Sequence, residues 1–395
     1  MKIVIISNLY PPFVRGGAEI VVGRLAEALR SNLHHVVVIT SQPYEGLASL
    51  KVTSASLNDV TVHRFFPLNL YYYLNDYKYP GLLRLIWHFF DIFNWHSYLV
   101  VKRLLRIEQP DLVITHNLMG FGFLIPSLLR RLRLKHIHTV HDVQLYTPSG
   151  LIIKGQEKNW PQTIANAMGY PALMRRLIGS PRAVISPSHF LMNFYKSRGF
   201  FPHSQWQILR NPADLSDVLK SSQAAELRLV YLGQISRVKG TLELISIVKR
   251  LTNVRLRVIG LGPDLRQALA LAKGNPNITF YGWRSRPDIL ELLGQSDALV
   301  MPSICYENSP TVILEALGFG LPVLAADIGG AAELIKDGHN GRRFEAGNWK
   351  QLEALIKELA ADKTALARLA ANCRQSVSDY TVDNYIRQLL RLASS

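Results

Sequence analysis

Short apolar runs alternate with helix-like segments along the whole chain, and this alternation restricts the possible folds more than any other feature. In the first half, apolar runs predict strands at residues 2–7, 35–40, 60–65, 111–116, 136–140 and 183–186. The second half repeats the pattern, with predicted strands at residues 228–233, 255–260, 278–281, 298–302 and 322–326. Alternating strands and helices are typical of parallel sheets with helices on both faces. The sequence therefore predicts an α/β protein with two doubly wound, Rossmann-like domains.

The helical patterns fit the same two series. They predict helices at residues 17–30, 82–106, 121–133 and 189–198, and then at 241–250, 263–272, 287–294 and 311–319. Residues 209–214 are predicted to connect the series, which gives a first domain of residues 1–208 and a second of residues 209–378. Residues 379–395 are predicted to form a helix that crosses back to the first domain. Because ligands bind at the carboxyl ends of strands in such domains, we expect a site in a cleft between two facing domains.

The charge of the chain is strongly basic and uneven. The net charge is +16, and residues 1–200 contain 22 Lys and Arg against 10 Asp and Glu. This excess indicates an acidic partner, which could be nucleic acid, an anionic membrane or a phosphorylated substrate. The start of the chain does not have the pattern of a secretory signal, and no window holds 18 uninterrupted apolar residues. The chain also has only two cysteines, which favours a reducing compartment. Together these features predict a cytoplasmic protein without a spanning helix.

Two glutamates flank a predicted helix start in the second half. Glu307 lies in the loop, Ser309 is the predicted N-cap, Pro310 is the first helical residue, and Glu315 lies inside the helix. A helix N-terminus offers free N–H groups to a phosphate, and carboxylates on either side could bind hydroxyl groups. The spacing alone is more typical of an ordinary amphipathic helix. The surrounding segments therefore have to distinguish such a helix from a binding site.

Three further segments follow predicted strands, and the first two of them also precede predicted helices. Residues 231–240 read YLGQISRVKG, residues 8–19 read NLYPPFVRGGAE, and residues 138–142 read HTVHD. Glycines in such loops let the backbone approach a ligand closely. The dinucleotide-binding pattern G-x-G-x-x-G does not occur in the loop at residues 8–19, which disfavours a dehydrogenase.

Together these segments resemble the retaining glycosyltransferases of family 4, which have the GT-B fold. In that family E-x7-E is followed by E-A-x-x-x-G-x-P-V, and residues 307–323 have this form. The resemblance implies that Glu307 holds hydroxyls of the donor sugar and Glu315 the ribose diol of the nucleotide. The intervening residues would lie along the sugar and diphosphate; these are Asn308, Ser309, Pro310 and Thr311.

The same resemblance extends to the loop at residues 231–240. It implies that Lys239 neutralises the leaving diphosphate. The family usually has arginine after the first glycine, whereas Gln234 follows Gly233 here. Arg237 is the candidate to supply that charge, although a solvated surface arginine fits its position equally well.

In the first half, the resemblance implies that Gly16 and Gly17 face the donor phosphates and that His141 and Asp142 face the donor sugar. His141 is expected to stabilise the sugar without acting as a nucleophile. His116 also follows a strand, and a structural role is favoured for it.

The resemblance further implies a UDP- or GDP-sugar as co-substrate, with no other cofactor, and transfer of a hexose with retention. The chain contains no Asp-x-Asp motif or His/Cys cluster for a divalent ion, so metal-independent catalysis is expected. The expected acceptor is lipid-linked or a polysaccharide, in lipopolysaccharide, surface polysaccharide or glycolipid synthesis, and a soluble sugar acceptor ranks second. A sugar-nucleotide epimerase and a basic nucleic-acid-binding protein are less favoured alternatives.

One aromatic and basic stretch leaves two interpretations open. Residues 71–105 are rich in aromatic side chains, and residues 130–135 are rich in basic ones. They form either a core helix beneath a basic surface or a peripheral patch that docks on anionic lipid at the inner face of the plasma membrane.

Overall fold

The computed structural model describes residues 1–158, 166, 168–213, 215 and 226–394. Residue 214 of the predicted connection and residue 395 lie outside this set. The chain divides into two compact units. Unit 1 comprises Met1–Leu151, Lys158–Arg210 and Val382–Ser395, and unit 2 comprises Ile152–Glu157 and Asn211–Thr381. The division differs from the predicted one mainly in residues 152–157, which belong to unit 2 although the chain on both sides belongs to unit 1.

Unit 1 is built on an eight-stranded sheet. Its strands are β1 (Lys2–Ile6), β2 (His35–Ser41), β3 (Thr53–Leu57), β4 (Val60–Phe65), β5 (Leu112–Thr115), β6 (His136–Thr139), β7 (Ala183–Ser186) and β8 (Gln205–Ile208). Their order is β3-β4-β2-β1-β5-β6-β7-β8, and only β3 runs antiparallel to its neighbour. The central strand β1 is apolar at four consecutive positions because helices cover both faces of the sheet.

The helices of unit 1 connect these strands. They are α1 (Gly17–Ser31), α2 (Gly81–Ile92), α3 (Trp95–Glu108), α4 (Ile125–Arg131), α5 (Tyr170–Ile178) and α6 (His189–Lys196). Two short 3-10 helices lie at Leu47–Leu50 and Tyr73–Lys78.

The single helix predicted at residues 82–106 is wrong. The structure has two helices there, α2 and α3, separated by Phe93 and Asn94. The Asn94 side chain accepts a hydrogen bond from the Ser97 amide (2.8 Å) and donates one to the Leu68 carbonyl (3.1 Å). Asn94 therefore caps the start of α3. A single polar residue does not interrupt the helical period of the apolar residues around it, so the periodicity predicted one continuous helix.

Unit 2 is built on a six-stranded parallel sheet. Its strands are β9 (Leu227–Leu232), β10 (Val254–Ile259), β11 (Ile278–Gly282), β12 (Ala298–Met301), β13 (Val323–Ala326) and β14 (Gly341–Phe344). Their order is β11-β10-β9-β12-β13-β14. Its helices are α7 (Thr241–Val248), α8 (Leu265–Ala272), α9 (Arg286–Gly294), α10 (Thr311–Gly318), α11 (Trp349–Ala361) and α12 (Lys363–Cys373), with 3-10 turns at Arg237–Lys239 and Gln375–Val377. Two parallel-sheet α/β units confirm the predicted fold class.

The strands that the sequence missed lie at the edges of the sheets. The residues of β3 and β8 are exposed or half-buried. In β14 the first and last residues are buried, and the two arginines between them are half-buried. An edge strand needs no continuous apolar run, so its pattern is weak.

The last helix belongs to unit 1. Helix α13 (Val382–Ser394) packs against α1 and buries Tyr385, Ile386 and Leu389 in the core of that unit. Its apolar stripe on one face therefore covers α1 and the sheet beneath it.

Candidate functional site

The predicted site residues of unit 2 lie at the point where its strand order reverses. The chain runs outward from β9 through β10 to β11, and then returns to the other side of β9 with β12. The loops that follow β9 and β12 consequently diverge at the carboxyl edge of the sheet, which is where ligands bind in doubly wound folds. Lys239 lies in the first loop and Glu307 in the second.

Lys239 and Glu307 form an ion pair in the structure. The Lys239 Nζ donates a hydrogen bond to the Glu307 Oε1. The same oxygen accepts from the Ser303 hydroxyl (2.9 Å) and contacts the Cys305 Sγ (3.5 Å). Burial opposes the charge of Lys239, but the attraction and hydrogen bond of Glu307, together with smaller contributions, raise its pKa above the ordinary value. Lys239 is therefore a fixed cation at this edge.

Two glycines let neighbouring loops lie close to the loop that carries Glu307: Gly240 in the loop after β9 and Gly329 in the loop after β13. At Gly240, where φ is +69°, a Cβ atom would lie 2.1 Å from the Pro302 carbonyl oxygen. At Gly329, where φ is +61°, a Cβ atom would lie 2.4 Å from the carbonyl oxygen of Glu307. Any other residue at either position would force the loops apart. Glycine is thus required at both positions for the backbone of Glu307 to lie where it does.

The start of α10 offers unsatisfied polar groups. The predicted N-cap at Ser309 is wrong by one position, because Pro310 occupies the N-cap and Thr311 begins the helix. No side chain caps this terminus. The Ile313 amide donates to the Pro310 carbonyl (3.1 Å), so the Thr311 and Val312 amides are the first-turn N–H groups without a partner among the described residues. The Asn308 Oδ1 and the Ser309 Oγ are buried and have no hydrogen-bond partner among the described residues. Buried polar atoms of this kind are normally paired, which marks the terminus as a place for a polar ligand.

Glu315 lies inside α10 and is buried. Its Oε1 lies 3.5 Å from the Nη1 of Arg286, the first residue of α9. Arg286 was not identified from the sequence, since nothing in its local pattern indicates a partner 29 positions away. Along the chain, Glu307 precedes the α10 terminus and Glu315 follows it.

The remaining predicted residues of the loop after β9 differ in their placement. The Gly233 amide donates to the Ile259 carbonyl (3.0 Å), and the exposed Gln234 accepts at its carbonyl oxygen from the Tyr231 hydroxyl (2.6 Å). The exposed Arg237 donates from its Nη2 to the Gln267 Oε1 (3.0 Å) on α8. The contacts of Arg237 are therefore with α8, and its proposed substitution for the missing arginine stays a prediction.

In unit 1, the predicted glycines lie after β1, next to the point where that sheet also reverses. The Gly16 amide donates to the Glu19 Oε2 (2.8 Å), as does the Arg15 amide (3.3 Å). Gly17 begins α1. The buried Glu19 thus satisfies the Gly16 amide that the sequence assigned to a donor phosphate. Donor binding by Gly16 and Gly17 stays a prediction.

His141 follows β6 and pairs with His116, which follows β5. The His116 Nδ1 lies 2.8 Å from the His141 Nε2, and the two rings are stacked. Burial lowers the pKa of His141 to about 4, so its ring is neutral at pH 7. His116 therefore contacts a predicted site residue directly, and the favoured structural interpretation of it omitted this contact.

Asp142 is held by backbone contacts beside His141. Its Oδ1 accepts from the Gln144 amide (2.8 Å), and its carbonyl oxygen accepts from the Tyr195 hydroxyl (2.7 Å). Burial raises the pKa of Asp142 to about 6, although the hydrogen bonds from Gln144 oppose the shift. The position of this carboxylate is thus set by the fold of unit 1.

Four buried or partly buried histidines extend from this site into the sheet. We call them the histidine cluster: His116, His136, His138 and His141. The Thr115 hydroxyl links His136 (2.6 Å) and His138 (2.8 Å). Burial lowers the pKa of every member, to about 3 for His136. The cluster is neutral at pH 7.

Among the described residues, no group of three or more His, Cys, Asp or Glu side chains could hold a metal ion. In the same part of the chain, no helix is both long and apolar enough to cross a bilayer.

Two family models match the chain. The model described as Glycosyltransferase Family 4 matches residues 15–217, and the model described as Glycosyl transferases group 1 matches residues 220–376. Together they span both units.

Relatives and solved structures agree with these matches. An uncharacterized 42.6 kDa protein in the cps region of Klebsiella pneumoniae is 24% identical over 85% of this chain and 88% of that protein. The lipopolysaccharide 1,6-galactosyltransferase of Escherichia coli (strain K12) is 29% identical over 39% of this chain and 46% of that protein. Sucrose-phosphate synthase from Thermosynechococcus elongatus superposes with a TM-score of 0.79 at 17% identity, over 99% of this chain and 98% of the other. Anabaena HepE, in complex with UDP-glucose, superposes with a TM-score of 0.72 at 19% identity, over 100% of this chain and 99% of the other.

Proposed function

Because the chain belongs to glycosyltransferase family 4, we propose that it transfers a hexose from a nucleotide-diphosphate sugar to an acceptor hydroxyl with retention of configuration. The donor is a UDP- or GDP-sugar; HepE, which has the same fold, was solved with UDP-glucose. The acceptor is lipid-linked or a polysaccharide, in keeping with the lipopolysaccharide galactosyltransferase among the relatives. A soluble sugar acceptor is the second candidate.

The observation that carries this proposal is the arrangement at the start of α10. A fixed cation, Lys239, lies in contact with Glu307 on one side of the terminus, and Glu315 lies on the other. Free first-turn N–H groups and the positive end of the helix dipole suit a diphosphate between them. Glu307 and Glu315 accept hydrogen bonds from hydroxyl groups, which suits a sugar and a ribose.

The proposed reaction uses electrostatic stabilisation. The bond from the anomeric carbon to the diphosphate oxygen breaks, and a bond from that carbon to the acceptor oxygen forms on the same face. The leaving phosphate oxygen takes the acceptor proton, so no separate base is required. Lys239 and the α10 terminus stabilise the charge on the diphosphate, and preorganised groups of this kind often supply the largest catalytic contribution. Transfer is proposed to proceed without a metal ion, which chelation with EDTA tests.

In unit 1, His141 offers a neutral polar group to the proposed donor sugar. His141 is neutral at pH 7 because burial lowers its pKa to about 4. A neutral imidazole can donate a hydrogen bond to a sugar hydroxyl or accept one from it, and it does not attract the diphosphate. His141 and Asp142 are therefore proposed to orient the sugar.

We test donor binding with a thermal-shift panel of UDP- and GDP-sugars. Mass action predicts about 2.7 kcal/mol of stabilisation at a hundredfold excess over the dissociation constant. The base and sugar that stabilise the chain identify the donor. Glu315→Ala serves as the matched variant, which should respond at higher concentration only. Silence of the unaltered chain across the whole panel contradicts the proposal.

Peripheral association with the inner face of the plasma membrane follows from a lipid-linked acceptor. Helix α2 exposes an apolar stripe at the spacing of one helical face, consisting of Leu82, Leu85, Ile86, Phe89 and Phe90, each 43–73% exposed. Only its opposite side, with Trp87, is buried, so the core-helix interpretation holds for one side alone. In residues 81–107 the one acidic residue, Asp91, is buried, whereas four are basic. An exposed apolar face with basic neighbours suits an anionic bilayer.

Vesicle sedimentation tests this surface. The chain should bind vesicles that contain phosphatidylglycerol more tightly than vesicles of phosphatidylcholine alone. Phe89→Ser with Phe90→Ser should reduce binding, because each buried aromatic side chain contributes roughly 1.5–3 kcal/mol. Leu33→Ser is the control, since Leu33 is exposed elsewhere on unit 1. Self-association that covers the same stripe, detected by light scattering, would contradict the membrane proposal.

A further inference from the structure

The segment Ile152–Glu157 is unusual because it belongs to unit 2, whereas the chain before and after it belongs to unit 1. We call this segment the strap. It follows Asp142 of unit 1 by ten residues, and it reaches the loop that carries Glu307.

The strap pairs with residues 304–306 through the backbone. The Lys154 amide donates to the Ile304 carbonyl (2.9 Å), and the Tyr306 amide donates to the Ile152 carbonyl (2.9 Å). The pairing is an antiparallel bridge like that of two short strands. The residue that follows Tyr306 is Glu307.

Residues 304–306 also contact the loop of Lys239. The Ile304 amide donates to the carbonyl of Val238 (3.0 Å), which directly precedes Lys239. The backbone of Ile304 is therefore bonded both to the strap and to the turn that carries Lys239. This arrangement fixes the backbone before Glu307 relative to Lys239.

Side chains of the strap add weaker contacts. The Tyr306 hydroxyl donates to the Glu157 Oε1 (2.9 Å), and the Lys154 Nζ lies 3.2 Å from the Glu345 Oε1. Both contacts are exposed, and exposed ion pairs contribute little to stability. The Lys154 Nζ also donates to the Ala346 carbonyl (3.0 Å), and the Ile152 side chain is buried. The strap is therefore attached to unit 2 by its backbone pairing and by these two side chains.

We propose that the strap is a positioning element that holds Glu307 in contact with Lys239. On its other side, Glu307 is held by the Gly330 amide, which donates to the Glu307 carbonyl (2.6 Å). Without the strap, residues 304–306 lose the two backbone hydrogen bonds to Ile152 and Lys154 and keep the one to Val238. The catalytic consequence rests on the proposed function, whereas the positioning itself does not.

The positioning is tested without any substrate. Lys154→Pro removes the amide that bonds the Ile304 carbonyl, and Lys154→Ala is the matched control that keeps the amide but loses the ammonium group. We expect hydrogen exchange at the Tyr306 amide to accelerate about threefold to tenfold in Lys154→Pro, since one hydrogen bond contributes about 0.5–1.5 kcal/mol. Acylation of Lys239 by acetic anhydride should accelerate as well, because an amine with a displaced partner loses its proton more readily. Unchanged exchange and acylation in a folded Lys154→Pro variant overturn the proposal.

A second variant keeps the test decisive if the proline substitution prevents folding. Ile152→Gly with Ile153→Gly weakens the same pairing by raising backbone freedom, and it should accelerate exchange in the same direction. Unchanged exchange in this variant also overturns the proposal.

The catalytic consequence is measured with UDP and UDP-glucose as probes. We expect Lys154→Pro to lower kcat for UDP-glucose hydrolysis about threefold to tenfold while the Kd of UDP stays unchanged, because Glu315 lies on the other side of the α10 terminus. A purely structural strap would lower thermal stability and leave kcat per folded molecule unaltered. If the unaltered chain neither binds UDP nor hydrolyses UDP-glucose, the proposed function fails for this donor, while the exchange and acylation results still decide the positioning.

Discussion

The carboxyl edges of the two sheets have a similar strand order around the first strand of each sheet but different electrostatic character. In unit 2 the edge contains a charged pair, Lys239 and Glu307, next to an uncapped helix terminus. In unit 1 the edge contains histidines that burial keeps neutral and an aspartate, Asp142, whose pKa burial raises to about 6. Eleven of the twelve histidines of the chain belong to unit 1, and only His339 belongs to unit 2.

This difference teaches how one architecture can serve two kinds of ligand group. A fixed cation with free N–H groups attracts a diphosphate, whereas neutral hydrogen-bonding groups suit sugar hydroxyls. The strand order determines which loops lie at the carboxyl edge of a sheet. The side chains of those loops determine which ligand groups can bind there.

The largest expected effect concerns acid stability, because the histidine cluster has several members. Each has a folded pKa below the unfolded value of about 6.5, so the unfolded chain binds more protons below that pH. Each histidine therefore removes about 1.4 kcal/mol of stability per pH unit as the pH falls from 6.5 towards its folded pKa. Glu19, Asp91 and Asp142 act in the opposite direction because burial raises their pKa, to about 8 for Asp91 and about 6 for Asp142. Burial also lowers the pKa of three histidines of unit 1 outside the cluster, His34, His88 and His96. Seven histidines against three carboxyl groups leave a net loss.

Calorimetry between pH 7 and pH 5 measures this effect. The transition of unit 1 should shift to lower temperature more steeply than the transition of unit 2. His136→Gln removes one titrating ring while keeping a group near its Nε2, so it should reduce the pH dependence by one proton. Equal shifts of both transitions would remove the electrostatic distinction between the units.

Removal of the cation of unit 2 should have the next largest effect. Lys239→Ala should lower kcat roughly 100- to 1000-fold, as expected when one preorganised group that stabilises transition-state charge is lost. Lys273→Ala is the control, since Lys273 is exposed on the same unit. Steady-state transfer or donor hydrolysis gives the measurement, and a kcat within twofold of the unaltered chain would refute the role of Lys239.

Loss of the second glutamate should affect binding more than turnover. Glu315→Ala should weaken UDP or GDP binding about 10- to 150-fold, because a hydrogen bond to a charged group contributes about 1.5–3 kcal/mol. Titration calorimetry with the free nucleotides measures it. Glu291→Ala, which removes an exposed carboxylate from α9, provides the comparison. Nucleotide affinity that is the same in both variants would exclude Glu315 from the ribose site.

The smallest effect is expected at Arg237. Its guanidinium is exposed and bonds Gln267 on α8, so Arg237→Ala should change kcat less than about threefold. The same transfer assay applies, with Lys239→Ala alongside. A loss comparable to that of Lys239→Ala would show that Arg237 replaces the arginine absent at Gln234, and unit 2 would then provide two cations for the diphosphate.

Much of the fold and part of the site could be predicted because their signals are local. The buried strands of both sheets are continuous apolar runs, and the glutamates, Lys239 and His141 stand in short motifs that follow strands. The N-cap Asn94, which divides α2 from α3, was missed because one polar residue does not interrupt the surrounding apolar period. The edge strands β3, β8 and β14 were missed because partly exposed strands have weak patterns.

By itself, the sequence determined two series of strands and helices, the family and the residue types at each loop. Only the tertiary structure decided which of them meet. Lys239 and Glu307 are 68 positions apart, and the close approach of their loops requires Gly240. The Glu19 carboxylate accepts the hydrogen bond of the Gly16 amide, and the strap from the first half of the chain pairs with the loop of Glu307. Periodicity reports the local burial of a residue, whereas hydrogen-bond partners distant in sequence depend on how the strands are ordered in the sheet.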